Sequence, residues 1–145
     1  MRGLKKNNQN EQKIRFEITE TSLAAIGENH TRMLMHLKEN GAEILLDDFG
    51  SGYSSFGMLQ DYDFDILKMD ISFVRNIGVD KKSESILRAI INMAHQLEIR
   101  LVAEGAETEE QVAFLRENGC DYIQGYYYYK PMPEKEFLQL LDEGK

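Results

Sequence analysis

The stretch AEILLDDFGSGYSS, residues 42–55, runs from an apolar segment into two adjacent aspartates, Asp47 and Asp48, and then into Phe-Gly-Ser-Gly. A short apolar run bounded by turn residues reads as a buried strand of a parallel sheet. Two like charges at the end of such a strand repel each other unless a cation faces them. Gly50 and Gly52 free the backbone that follows.

Reading outward in both directions gives an alternating order. Residues 13–19, KIRFEIT, alternate Ile14, Phe16 and Ile18 on one face with Arg15, Glu17 and Thr19 on the other, the period of a strand. Residues 29–40 have helical spacing and stop at Gly41. FDILKMD at 64–70 reads as a third strand, and residues 83–97 form an amphipathic helix. EIRLVAE at 98–104 is a fourth strand, followed by a helix that Thr108 caps with Gln111 as its box partner. CDYIQG at 120–125 is a short fifth strand, and a last helix covers 134–141 after Pro131 and Pro133. Strand–helix repetition predicts an α/β fold with a parallel sheet covered by helices.

The chain has 145 residues with 42% apolar content, enough for one modest core. Lys and Arg number 17 against 25 Asp and Glu, a formal charge of −8, which argues against a nucleic-acid binder. No apolar run approaches the roughly 20 residues of a membrane span. The first dozen residues are polar, lack the hydrophobic centre of a secretory signal, and read as a disordered stretch or helix tail at 1–12. The expected location is cytoplasmic. Cys120 is the single cysteine, so an internal disulfide is ruled out and a structural role is expected.

Polar residues gather at the C-terminal ends of the strands, the edge where ligands bind in α/β folds. Glu17 and Glu20 belong to the first strand end, Asp47 and Asp48 to the second, Lys68 and Asp70 to the third, Glu104 and Glu107 to the fourth, and Gln124 to the fifth. Carboxylates in such number require a compensating cation, and their oxygens suit hard ions such as Mg²⁺ or Mn²⁺. Two such ions hold a phosphodiester and ready a water for attack.

FEITE at 16–20, DDFGSGYSS at 47–55, LKMD at 67–70, AEGAET at 103–108 and CDYIQGYYYYKPMP at 120–133 together resemble the EAL domain family of cyclic di-GMP phosphodiesterases. The resemblance implies a TIM-type (β/α) barrel that hydrolyses cyclic di-GMP to linear pGpG with two Mg²⁺ or Mn²⁺ ions. It implies metal ligation by Glu17, Asp47, Asp48 and Glu104, and a lysine, Lys68, that orients and polarises the attacking water. Glu104 is also implied in water activation. Glu20, Asp70, Glu107 and Gln124 are implied as supporting residues, with Glu20 steadying the loop after Asp48. That loop, 49–55, is implied as a homodimer contact.

No Glu-Ala-Leu tripeptide occurs in the chain. The resemblance therefore reads as a C-terminal portion only, a partial domain over 13–145 holding about the last five barrel strands, without the signature region and two expected metal ligands. On that reading the chain is weak or inactive alone, or needs another polypeptide to supply the missing strands. The alternatives are a non-catalytic cyclic di-GMP-binding or protein-interaction module and a gene remnant. The four tyrosines at 126–129 are expected to pack, the alternative being that they stack on guanine.

Overall fold

The structure is a computed structural model that describes residues 14–24, 29–51 and 55–143. The proposed tail at 1–12 and the loop positions 52–54 lie outside the described residues. The elements run β1 (Arg15–Thr19), α1 (Glu20–Ala24), α2 (Asn29–Glu39), β2 (Glu43–Phe49), α3 (Ser55–Asp61), β3 (Ile66–Met69), α4 (Ile71–Arg75), α5 (Lys81–Gln96), β4 (Arg100–Glu104), α6 (Glu109–Glu117), β5 (Tyr122–Gln124) and α7 (Glu134–Glu143). All five strands pair in parallel in sequence order, β1-β2-β3-β4-β5. This is an α/β sheet with flanking helices, of the TIM-barrel-like class. Among the described residues no helix is long and apolar enough to cross a membrane.

Each expected strand is present, and α6 carries the expected capping box of Thr108 and Gln111. Three short helices, α1, α3 and α4, were not legible from the pattern, because five to seven residues show too little of a helical period.

Strand alternation divides the sheet into two faces. Ile44, Leu46, Leu67, Met69, Leu101 and Ala103 point to the helix side and join one buried cluster with Leu87 and Ile91 of α5 and Val112 and Leu115 of α6. Complete burial of each large aliphatic side chain is worth about 1.5–3 kcal/mol, so this layer supplies most of the driving force. The opposite face carries Glu43, Leu45, Asp47, Lys68, Glu104 and Gln124. Leu45 and Ile66 on that face are also buried, which explains why β2 and β3 read as near-continuous apolar runs.

The inner face curls. At the N-terminal ends of the strands, buried Glu43 accepts from Arg15 Nε on β1 and from an Arg100 terminal nitrogen on β4, each at 2.9 Å. The Arg15 guanidinium lies 5.9 Å from the ring centre of Tyr122 on β5. Side chains from the two outermost strands thus meet across the concave face, a basic and aromatic layer beneath the acidic edge.

Cys120 follows Gly119, which closes α6 with φ +80°. Its Sγ lies 3.2 Å from the Tyr122 carbonyl and 3.7 Å from that of Leu101. Burial pushes the thiol up to about 11, beyond what its backbone hydrogen bonds offset. The partly buried thiol is therefore expected to react slowly with a disulfide reagent at pH 8 and faster on unfolding. A raised thiol stabilises the fold below its unfolded pKa of roughly 8.5, and that contribution is lost as pH rises through the folded value. Rapid thiol titration of the native chain at pH 8 would contradict this.

Candidate active site

The second strand shows how the paired aspartates are used. Strict alternation after Leu46 would send Asp47 to the inner face and Asp48 into the helix-side core. The β2–β3 register instead shifts between Leu46 and Phe49, and Asp48 takes φ +58°. Such a bulge adds one residue and turns the chain. Aspartate tolerates the left-handed region better than most residues with a side chain. As a result Asp48 is exposed, its N–H donates to Asp47 Oδ1 at 2.9 Å, and Phe49 drops into the core at 1% exposure.

Asp47 faces Lys68 from the next strand. Lys68 Nζ lies 3.3 Å from Asp47 Oδ1 and 3.1 Å from Glu104 Oε2. The lysine comes from β3 and its partners from β2 and β4, so three neighbouring strand ends meet at one ammonium. Burial on its own would lower the Lys68 pKa. The hydrogen bond to Glu104 and the charge of Asp47 outweigh it, and the group is held above the ordinary lysine value. At neutral pH it is a fixed cation and hydrogen-bond donor, not a base.

Glu104 pairs with Gln124 across β4 and β5. The Gln124 carbonyl accepts from Gly105 N at 2.8 Å and Ala106 N at 3.2 Å, which fixes both strand ends. Glu104, Glu107 and Gln124 line a cleft of about 470 Å³ bounded by α4, α7 and the turn after β5. Glu17 is exposed on β1, two residues before Thr19, which pairs with Asp47. Asp70 acts locally: it caps α4 by accepting from Ser72 N at 2.8 Å. Glu20 opens α1 and is 6% exposed, with Oε1 buried and unpartnered among the described residues.

The structure thus brings Asp47, Lys68 and Glu104 into contact, places Gln124 and Glu107 beside them, and leaves Asp48 exposed at the same sheet edge, while Glu17 is exposed in mid-strand on β1, level with Leu45 and two residues short of that edge. The carboxylate oxygens are the right donors for a hard divalent cation. Their spacing is a poorer match: among the described residues no three His, Cys, Asp or Glu side chains group closely enough to hold a metal ion.

The comparisons with known proteins decide the family. The EAL domain family model matches residues 2–131.

The chain belongs to the EAL domain family.

It is 42% identical over 129 residues to the cyclic di-GMP phosphodiesterase NbdA of Pseudomonas aeruginosa, a match covering 87% of this chain and 16% of that protein. The crystal structure of the EAL domain of Mycobacterium smegmatis DcpA superposes with TM-score 0.84 at 37% identity, over 90% of this chain and 59% of that one. Klebsiella pneumoniae BlrP1, solved as a manganese/cyclic di-GMP complex, matches with TM-score 0.73 at 31% identity, over 77% of this chain and 29% of that one.

The family match also corrects an expectation. A C-terminal portion without the signature region, with likeness starting near residue 13, does not hold: the match begins at residue 2 and takes in the polar stretch read as a tail. The physical reason is that residues 2–12 carry almost no apolar residues and hence no periodicity.

Sequence reasoning also missed the wall of the cleft. Arg75, Lys130 and Met132 line it, together with Tyr126 and Tyr129. The tyrosines, expected to pack, are 56% and 59% exposed. The available signal was the aromatic run next to Lys130, but nothing in the run shows which rings turn outward.

Proposed function

We propose that this EAL-family chain binds cyclic di-GMP at the C-terminal edge of its sheet and hydrolyses it to linear pGpG. The observation that carries the reading is the Lys68 ammonium held between Asp47 and Glu104. The curled sheet is read as the wall of a TIM-type barrel, with this trio at its mouth. Water adds to phosphorus, the bond from phosphorus to one ribose 3′ oxygen breaks, and the released oxygen takes up a proton. Lys68 Nζ donates to the attacking water and stabilises negative charge as it develops. Glu104, a carboxylate at the same spot, accepts the water's proton. Gln124 and Glu107 hold the surrounding hydrogen bonds, and Glu20 supports the loop that follows Asp48. Glu17, Asp47, Asp48 and Glu104 are the residues that would hold Mg²⁺ or Mn²⁺. When bound, such ions neutralise phosphate charge and acidify a water.

The test is incubation of the purified chain with cyclic di-GMP and Mn²⁺, with separation of the nucleotides by chromatography. Linear pGpG that depends on Mn²⁺ supports the reading; intact cyclic dinucleotide overturns turnover. A second reading, binding without hydrolysis, is favoured by the lack of three grouped carboxylates among the described residues. It predicts cyclic di-GMP uptake in a calorimeter and no product. Self-association through the loop at 49–55 is a further proposal, checked by sedimentation.

A further inference from the structure

The short helix α4 follows β3, the strand that carries Lys68, and lies between two loops that each start at a carboxylate. Asp70 opens it by accepting from Ser72 N, and Val74, fully buried, anchors it in the core. Ile71 and Phe73 stand two residues apart, about 200° around the helix, so they leave it in opposite directions. Each lands on a glycine of a different loop.

A Cβ at Gly105 would lie 2.3 Å from Ile71 Cγ1 and 2.5 Å from its Cδ1. One at Gly50 would lie 2.5 Å from Phe73 Cε2 and 2.8 Å from its Cζ. The two side chains therefore fill the volume that a side chain at either glycine would need. Gly105 directly follows Glu104, and Gly50 comes two residues after Asp48. Both have positive φ, +81° and +91°, so glycine serves the turn and the close approach together. Backbone bonds hold the same loops on their other sides. Ser51 N donates to the Asp48 carbonyl at 3.0 Å, which closes that turn, and Asp70 N donates to the Phe49 carbonyl at 3.2 Å, which ties it to the start of α4. Gly105 N donates to the Gln124 carbonyl at 2.8 Å.

We propose that Ile71 and Phe73 are positioning residues and that α4 is a wedge. From the strand that bears Lys68, it sets the backbone behind Glu104 on one side and behind Asp47 and Asp48 on the other. The inference rests on the reading of this edge as a hydrolytic site for cyclic di-GMP. A misplacement of about 1 Å in a reacting group costs up to about 100-fold in rate, so apolar packing next to a carboxylate has leverage on the chemistry.

The test uses the full chain with cyclic di-GMP and Mn²⁺. Ile71→Ala and Phe73→Ala are each expected to lower kcat about tenfold or more, with KM within about threefold of the parent. Ile71→Val and Phe73→Leu, which keep most of the packing, stay within about threefold of the parental kcat. Leu87→Ala, in the core on α5, lowers the melting temperature at least as far but leaves kcat, measured well below melting, within about twofold. A nuclear magnetic resonance spectrum of the chain labelled with ¹⁵N-glycine gives a reading independent of activity. Ile71→Ala shifts the Gly105 amide signal and leaves that of Gly50 in place. Phe73→Ala, which removes a ring from beside Gly50, does the reverse. Parental kcat in both alanine variants overturns the proposal, as does an equal loss in Leu87→Ala or a displacement of both glycine signals by each substitution. A parent chain that forms no pGpG sinks the catalytic reading alone, and the two glycine signals then decide whether α4 sets the loops separately.

Discussion

Lys68→Met is expected to lower Mn²⁺-dependent hydrolysis of cyclic di-GMP by at least about 100-fold, the usual cost of removing a preorganised donor from a charged transition state. The substitution keeps an unbranched side chain one atom shorter and deletes the charge together with its hydrogen-bond donors. It also leaves Asp47 and Glu104 facing each other with no ammonium between them. Because Glu104 is more than a third exposed, solvent screens part of that repulsion, and the expected stability loss is about 1–2 kcal/mol. For a chain of this size that corresponds to roughly 5 °C in melting temperature. Adding Asp47→Asn removes the repulsion and should restore the melting temperature, which assigns the stability loss to the uncompensated carboxylate pair. The pH dependence has a definite sign. A lysine held above its ordinary value stabilises the fold below an unfolded pKa of roughly 10.4, and the contribution disappears as pH rises through the folded value. Accordingly the rate should show no lysine limb across the neutral range. A methionine variant that keeps more than about a tenth of the parental rate removes Lys68 from the chemistry.

The second large effect is structural. A Cβ at Gly125 would lie 2.1 Å from the Ala106 oxygen, 2.4 Å from its nitrogen and 2.8 Å from its carbonyl carbon. All three are backbone atoms, so no side chain can swing aside. Moving Ala106 would disturb its N–H bond to the Gln124 carbonyl and the bond its own carbonyl accepts from Tyr127. Gly125→Ala is therefore expected to cost about 3 kcal/mol or more, at or above the upper end for overpacking, and to lower the melting temperature by roughly 10 °C. It should also spoil the cleft, since the same turn carries Tyr126 and Tyr129. Gly57→Ala is the control. A Cβ there meets nothing within 4 Å, and the position lies inside α3, where alanine favours the helix. The control should melt at or slightly above the parent. A Gly125→Ala chain melting within about 2 °C of the parent would show that the two backbones separate easily.

Much of the site is written locally. The capping box of Thr108 and Gln111 joins residues three apart, so it is readable without knowing what α6 packs against. The polar ends of the five strands were equally legible, because a parallel sheet directs its strand termini to one edge. The bulge at Asp48 was not. It depends on Phe49 finding a place in the helix-side core, which adjacent aspartates signal only indirectly. Asp70 shows the opposite case: its placement beside Lys68 in sequence suggested a shared site, while in the fold its carboxylate is spent on the first turn of α4.

By itself the sequence determined the order and direction of the strands, the helices that cover them, and most of the polar residues that stand at the C-terminal edge of the sheet. Those follow from alternation, helical period and caps, all of which are interactions between near neighbours in the chain. Only the tertiary structure decided that Lys68 binds Asp47 and Glu104 together, that Arg15 reaches Tyr122 across the curled sheet, and that two of four tyrosines turn toward the cleft. Each of these joins residues from separate elements. Their meeting depends on strand register and sheet curvature, which many packed contacts set jointly and no single segment encodes.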